Sequence, residues 1–142
     1  MPRKKPAPSY TLLDVTVRNG IAIVTLNRPE LHNAFNEMLI AEITGAMRAL
    51  GADDGVRAII LAGNGPSFCA GADLNWMKKM AGYGRTENMA DAEALAEMLR
   101  ALYAVPKPTI ARVHGAAFGG GVGLVTCCDI AVGAVEATFA LS

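Results

Sequence analysis

Two short segments hold the residues best able to do chemistry: Phe68-Cys69-Ala70-Gly71-Ala72-Asp73-Leu74 and Ala117-Phe118-Gly119-Gly120-Gly121-Val122-Gly123. Each follows an apolar, strand-like run and leads into a helix-like one, which sets backbone N–H groups at a helix N-terminus, where partial positive charge collects. Small residues at Ala70, Gly71, Ala72 and Gly119 to Gly121 let a carbonyl oxygen approach the main chain, and glycine permits the backbone angles that turn an N–H outward. Two such loops facing one point would make an oxyanion hole, which stabilises an enolate or tetrahedral oxyanion in acyl chemistry. The plain alternative is that these glycines only mark tight strand-to-helix turns and close packing.

Loops of this kind need strands and helices to carry them. Tyr10 to Val17 alternates, Arg18-Asn19-Gly20 reads as a turn with Asn-Gly taking positive φ, and Ile21 to Leu26 is β-rich, so the three form a hairpin. Asn27 to Asn33 breaks the pattern and feeds a helix with apolar positions Phe35, Met38, Leu39, Ile43, Met47 and Leu50, spaced by threes and fours. Val56 to Leu61 reads as a buried strand and Leu74 to Met80 as a short helix. A longer helix, capped by Thr86-Glu87, puts Ala92, Leu95, Ala96, Leu99, Leu102 and Tyr103 on one face until Pro106-Lys107-Pro108 stops it. Thr109 to Val113 is another strand, Val122 to Thr126 is helical or turn-like, and Asp129 to Val135 is a last strand. Strands alternating with helices in this order imply an α/β layer architecture, with one domain over residues 10–142 after a basic, proline-rich flexible arm at 1–9.

Composition narrows the function. A chain of 142 residues, 52% hydrophobic, can bury one core. Thirteen Lys and Arg against thirteen Asp and Glu leave no net charge, which argues against a nucleic-acid or membrane-surface partner held by bulk electrostatics. The three cysteines, Cys69, Cys127 and Cys128, have neither disulfide nor zinc-site spacing, so no metal is expected and a reducing, cytoplasmic setting fits. The patterns G-x-G-x-x-G, G-x-x-x-x-G-K-[ST], G-x-S-x-G and H-E-x-x-H are all missing, which argues against dinucleotide-binding, P-loop, nucleophile-elbow and zinc-protease chemistry.

One resemblance ties the motifs together. Asn27-Arg28-Pro29-Glu30 with Asn33-Ala34-Phe35, then Ser67 to Leu74, then Pro106 to Ala111 with Gly115, Gly119-Gly120-Gly121 and Cys128-Asp129-Ile130-Ala131, resemble in order and spacing the crotonase superfamily of enoyl-CoA hydratases and isomerases. Asn75-Trp76-Met77-Lys78-Lys79-Met80 and Gly121-Val122-Gly123-Leu124 with Cys127-Cys128-Asp129 look most like its methylglutaconyl-CoA hydratase branch, in leucine and isoprenoid breakdown. The resemblance implies the N-terminal part of a ββα spiral and an acyl-CoA thioester whose carbonyl oxygen lies between the N–H groups of Ala72 and Gly120. Arg28, His32 and Ala34, with Ala70, Asp73 and Leu74, would line the CoA site, Arg28 facing either a phosphate or solvent, and Gly121 and Gly123 would line the substrate. It implies coenzyme A as part of the substrate, no separate cofactor, and a homotrimer or hexamer.

The chain also departs from the family pattern. Hydratases of this family use two glutamates, but the first position is Gly123, and the second would follow Phe139-Ala140-Leu141-Ser142. Proton transfer needs a titratable group within hydrogen-bond reach, so these residues read as the electrostatic half of an active site in a longer enzyme. His114 and Asp129 are expected in structural hydrogen bonds and His32 as a neutral contact or exposed. Cys69 is not expected as a nucleophile, nor Trp76 with Met77 and Met80 as more than core or acyl-pocket lining. Three readings stay open: a hydratase, an enoyl-CoA isomerase or other enolate-type lyase, and a CoA-binding module without catalysis.

Overall fold

A computed structural model describes residues 8–141; positions 1–7 of the expected arm, and Ser142, lie outside the described residues. Strands β1 (Leu13–Arg18) and β2 (Ile21–Leu26) form the expected antiparallel hairpin, turned by Asn19 and Gly20 at φ 53° and 77°. From β2 the sheet runs in parallel through β3 (Ala58–Gly63), β4 (Thr109–Val113) and β6 (Ile130–Gly133), giving the order β1-β2-β3-β4-β6. Parallel neighbours need crossovers. These are supplied by α1 (Glu37–Gly51), by α2 (Leu74–Ala81) with α3 (Arg85–Ala104), and by α4 (Gly120–Cys127). A second sheet pairs β5 (Ala117–Phe118) with β7 (Phe139–Ala140) in parallel, and neither of these two-residue strands is visible in the periodicity.

The helices correct two expected apolar faces. Asn36 caps α1 by accepting the Leu39 N–H at 2.9 Å, so the helix starts after Phe35 and its buried stripe is Leu39, Ile40, Ile43, Met47 and Leu50. Met38 falls off that stripe and is half-exposed. On α3 the buried residues are Met98 and Leu102, with Leu95 and Leu99 partly buried against the core, while Ala92, Ala96 and Tyr103 are exposed. Tyr103 is one residue, about 100° of helix, past Leu102. Gly84, not Thr86-Glu87, occupies the cap position, and it makes no side-chain cap bond. The strand expected over Asp129 to Val135 is the shorter β6, and its Ile130 and Val132 stand exposed at the sheet edge.

Candidate active site

The two glycine loops meet at the carboxyl ends of β3 and β4. Cys69 pairs with Ala117, the Phe118 N–H donates to Cys69 O at 2.9 Å, and Phe68 and Cys69 both donate to Ala116 O. Gly71, at φ 87°, presses so close to the second loop that a Cβ there would stand 2.8 Å from Phe118 O and 3.3 Å from Gly120 N. Any larger residue would push the loops apart.

On the first loop, Ala72 lies in a short parallel ladder with Phe35: Phe35 N–H donates to Gly71 O at 2.7 Å and Asp73 N–H donates to Phe35 O at 2.8 Å. Ladder bonds flank Ala72 on both sides, yet its own N–H has no acceptor among the described residues. On the second loop, Gly119 takes φ 52° and α4 begins at Gly120, whose N–H likewise has no acceptor among the described residues. The first N–H groups of a helix have no intrahelical partner and carry its positive end. Both expected donors, Ala72 and Gly120, therefore present unengaged N–H groups from abutting loops.

Asp73 and Arg28 brace the first loop. Asp73 accepts from Asn75 N–H at 2.7 Å and Trp76 N–H at 3.4 Å, capping α2, while its other oxygen pairs with Arg28 Nη1 at 2.7 Å. The same Nη1 donates to Ala34 O at 2.8 Å, and the two side chains are only 12% and 7% exposed. Burial pushes the Asp73 carboxyl up, but the bonds from Asn75, Arg28 and Trp76 and the Arg28 charge outweigh it, so the carboxyl titrates below its ordinary value. Arg28 is thus not the surface residue allowed for, and its charge is already matched.

The other expected residues are distributed around this frame. Ala34 is buried, Leu74 is largely exposed on the first turn of α2, and Ala70 donates its N–H to His32 O at 3.0 Å. His32 is exposed in a left-handed conformation, with Nδ1 2.9 Å from Ser67 Oγ. Gly121 lies so tightly on Cys69 that a Cβ there would run into Cys69 O, and a Cβ at Gly123 would touch Leu99 Cδ2 at 3.4 Å. His114 Nε2 sits 2.7 Å from Gly65 O, and the Asp129 carboxylate accepts from Thr109 N–H at 2.9 Å, so both make the structural bonds expected of them. Cys69 is fully buried, which pushes its thiol up to about 12 against a smaller opposing effect of a Gly71 N–H bond, and a neutral thiol is a poor nucleophile. Among the described residues no cluster of His, Cys, Asp and Glu could hold a metal, and no helix is long and apolar enough to cross a membrane.

Two residues outside the expected set of site residues prove central. Asn33, fully buried at φ 57°, accepts from Arg28 N–H at 2.8 Å and donates to Asn64 O, Ser67 O and Phe68 O, stitching the Asn27–Ala34 loop to the first glycine loop. The Phe35 ring fills the space where a Cβ of Gly120 would stand, 2.6 Å from Cε2. An Asn-Ala-Phe run after a strand break was the available signal, but its partners are distant in sequence.

The profile of the family described as Enoyl-CoA hydratase/isomerase matches residues 16–142. A Syntrophomonas wolfei crotonyl-CoA hydratase is 37% identical over 132 residues, covering 92% of this chain and 50% of its own length, and a Pseudomonas fluorescens hydroxycinnamoyl-CoA hydratase-lyase is 38% identical over 135 residues, covering 94% and 49%. The crystal structure of an enoyl-CoA hydratase from Shewanella pealeana superposes with a TM-score of 0.89 at 42% identity, covering 91% of this chain and 49% of that one. The chain spans about half the length of the curated relatives it matches. A match over nearly all its residues, on a fold shared with solved hydratases, places the chain in the enoyl-CoA hydratase/isomerase family, within the crotonase superfamily.

Proposed function

We propose that the protein adds water to an α,β-unsaturated acyl-CoA, with the thioester oxygen held between the N–H groups of Ala72 and Gly120. The observation that carries this reading is that both donors are unengaged among the described residues on loops that abut, while the N–H groups of Asp73 and Gly119 beside them are bonded. Polarising the thioester carbonyl favours the enolate that forms as water adds, so the interaction is stronger in the transition state than with bound substrate. Arg28 and Asp73 act behind the site, fixing the loop that presents Ala72.

The acid–base group is supplied from outside the described residues. Strand β7 supports that placement: Gly119 N–H donates to Ala140 O at 2.8 Å, so the chain after Ala140 starts beside Gly120. With Gly123 in place of a carboxylate, a single glutamate entering there would serve as both base and acid. A homotrimer or hexamer, the leucine-breakdown branch and a cytoplasmic setting belong to the same reading, the last supported by three free cysteines.

Full-length protein incubated with crotonyl-CoA and with branched and long-chain enoyl-CoAs should bleach the conjugated thioester absorbance, and Gly120→Ala, whose Cβ would strike the Phe35 ring and turn the retained N–H away, should slow this by up to the roughly 10²–10³ that loss of an oxyanion donor costs. Absence of turnover with every acyl chain defeats the reading. Exchange of the α-proton without net addition of water favours the isomerase alternative, motivated by Gly123.

A further inference from the structure

The larger sheet buries one face fully and the other only in part. Along β2 and β3, Ala22, Val24, Leu26, Ile59 and Leu61 are fully buried, while the alternate Ile21, Ile23, Ala58 and Ile60 stay partly exposed. Successive side chains on a strand point to opposite faces, and paired residues on neighbouring strands share a face. The register carries the second face across the sheet: Thr16 pairs with Ile23, Ile23 with Ile60, Ile60 with Ile110 and Ile110 with Ile130. Four isoleucines on four neighbouring strands therefore stand in one row, ending at Ile130, which is 53% exposed. Parallel sheets occur almost only with both faces covered, so this row calls for an occupant.

Charge placement indicates which one. On the next rung, Asp14 pairs with Thr25 and Thr25 with Ala62, while Arg112, two residues past Ile110, pairs with Val132 at the same level. Asp14 and Arg112 thus flank the apolar row from opposite sides at one height. Both are exposed, and neither has an ion pair among the described residues. A twofold axis along the strands, between β2 and β3, lays β1 of one copy over β4 of another and β2 over β3. It sets Asp14 opposite the partner's Arg112 and repeats the pair on the other side, which is the self-complementarity an isologous interface requires. It also sets Ile21 over the partner's Ala58, a large side chain against a small one.

We propose that this sheet face joins two copies of the chain about a twofold axis, through the isoleucine row and two Asp14–Arg112 pairs. The inference stands independently of the hydration chemistry.

Like charges set against each other across an interface cost several kcal/mol. Asp14→Arg opposes two cations at each pair, and Arg112→Asp opposes two anions. In full-length protein at micromolar concentration and low salt, each variant should show half the wild-type particle mass by sedimentation, with an unchanged thermal melt. Mixed in equal amounts, the two variants should regain the wild-type mass, because each supplies at both pairs the charge the other lacks. Ile60→Arg, in the middle of the row, should also halve the mass, and mixing with either charge variant should not rescue it. If Ile60→Arg does not fold, the two exposed charge reversals decide the matter alone. A wild type that is a monomer or an odd-numbered assembly overturns the inference and leaves the hydration reading intact. A mass indifferent to both charge reversals also overturns it, and assigns the face to another segment of the longer chain or to a different protein. Halved masses that mixing fails to restore overturn it as well, since the Asp14–Arg112 pair would then not cross between copies.

Discussion

The two glycine loops present the same kind of N–H group but are held by opposite means. The first is held largely by side chains: Asp73 caps α2 and pairs with Arg28, and Asn33 knits three carbonyls together, beside a main-chain ladder between Phe35 and Ala72. The second is held by main-chain bonds, from Phe118 to Cys69 and from Gly119 to Ala140, and by exclusion. Its α4 has no side-chain cap, and at Gly120 and Gly121 a Cβ would strike the Phe35 ring and the Cys69 carbonyl. A donor can therefore be aimed either with a charged pair, which responds to pH, or by close packing, which does not.

Substitution in the packed loop should be the sharpest test of that contrast. Gly121→Ala forces a Cβ into backbone that cannot swing away, and unfolding in urea should show a loss of about 3 kcal/mol or more, or no folded protein. In the braced loop, Asp73→Ala removes a cap and strands the nearly buried Arg28, for a loss of about 3 kcal/mol, while Arg28→Met keeps the cap and should cost less. A Gly121→Ala protein as stable as wild type would erase the distinction.

Acid should separate the loops more gently. The folded state holds the Asp73 carboxyl below its ordinary 3.8, so its contribution is complete above that pH and is lost as pH falls through the lower folded value. Thermal melts followed by circular dichroism should show wild type losing more stability than Arg28→Met between neutral pH and the acid range. Equal losses would mean that Arg28 does not set this titration.

The smallest effect concerns the thiol under both loops. Burial lifts Cys69 to about 12 from an ordinary 9.0, so the stability tied to its neutral form is complete below pH 9.0 and fades as pH rises toward about 12. Cys128 is raised to about 11 by burial, and Cys127 is also raised by burial but stands more open. Iodoacetamide at neutral pH should label Cys127 first and leave Cys69 unmodified until the protein unfolds. Early labelling of Cys69 would show that the loops part readily.

Local chemistry alone determined much of this protein. The Asn19-Gly20 turn, the stop at Pro106-Lys107-Pro108, the strand at Thr109–Val113 and the short helix from Leu74 all follow from residues within a few positions of one another. Both donor loops could be located for the same reason, since small residues between a strand and a helix state their own backbone geometry. Tertiary structure decided what those loops meet. The Arg28–Asp73 pair spans 45 positions, the Asn33 amide reaches Phe68, and β5 finds β7 across a whole helix, and no periodicity encodes such pairings. Apolar character did not reveal burial either, because Met38 and Tyr103 fall on the expected apolar helix faces yet lie exposed, as do Ile130 and Val132 on a strand whose outer edge no other strand covers among the described residues. Residue type sets what a position can do, but only the folded chain sets which distant group stands beside it, and the candidate site depends on that second kind of information.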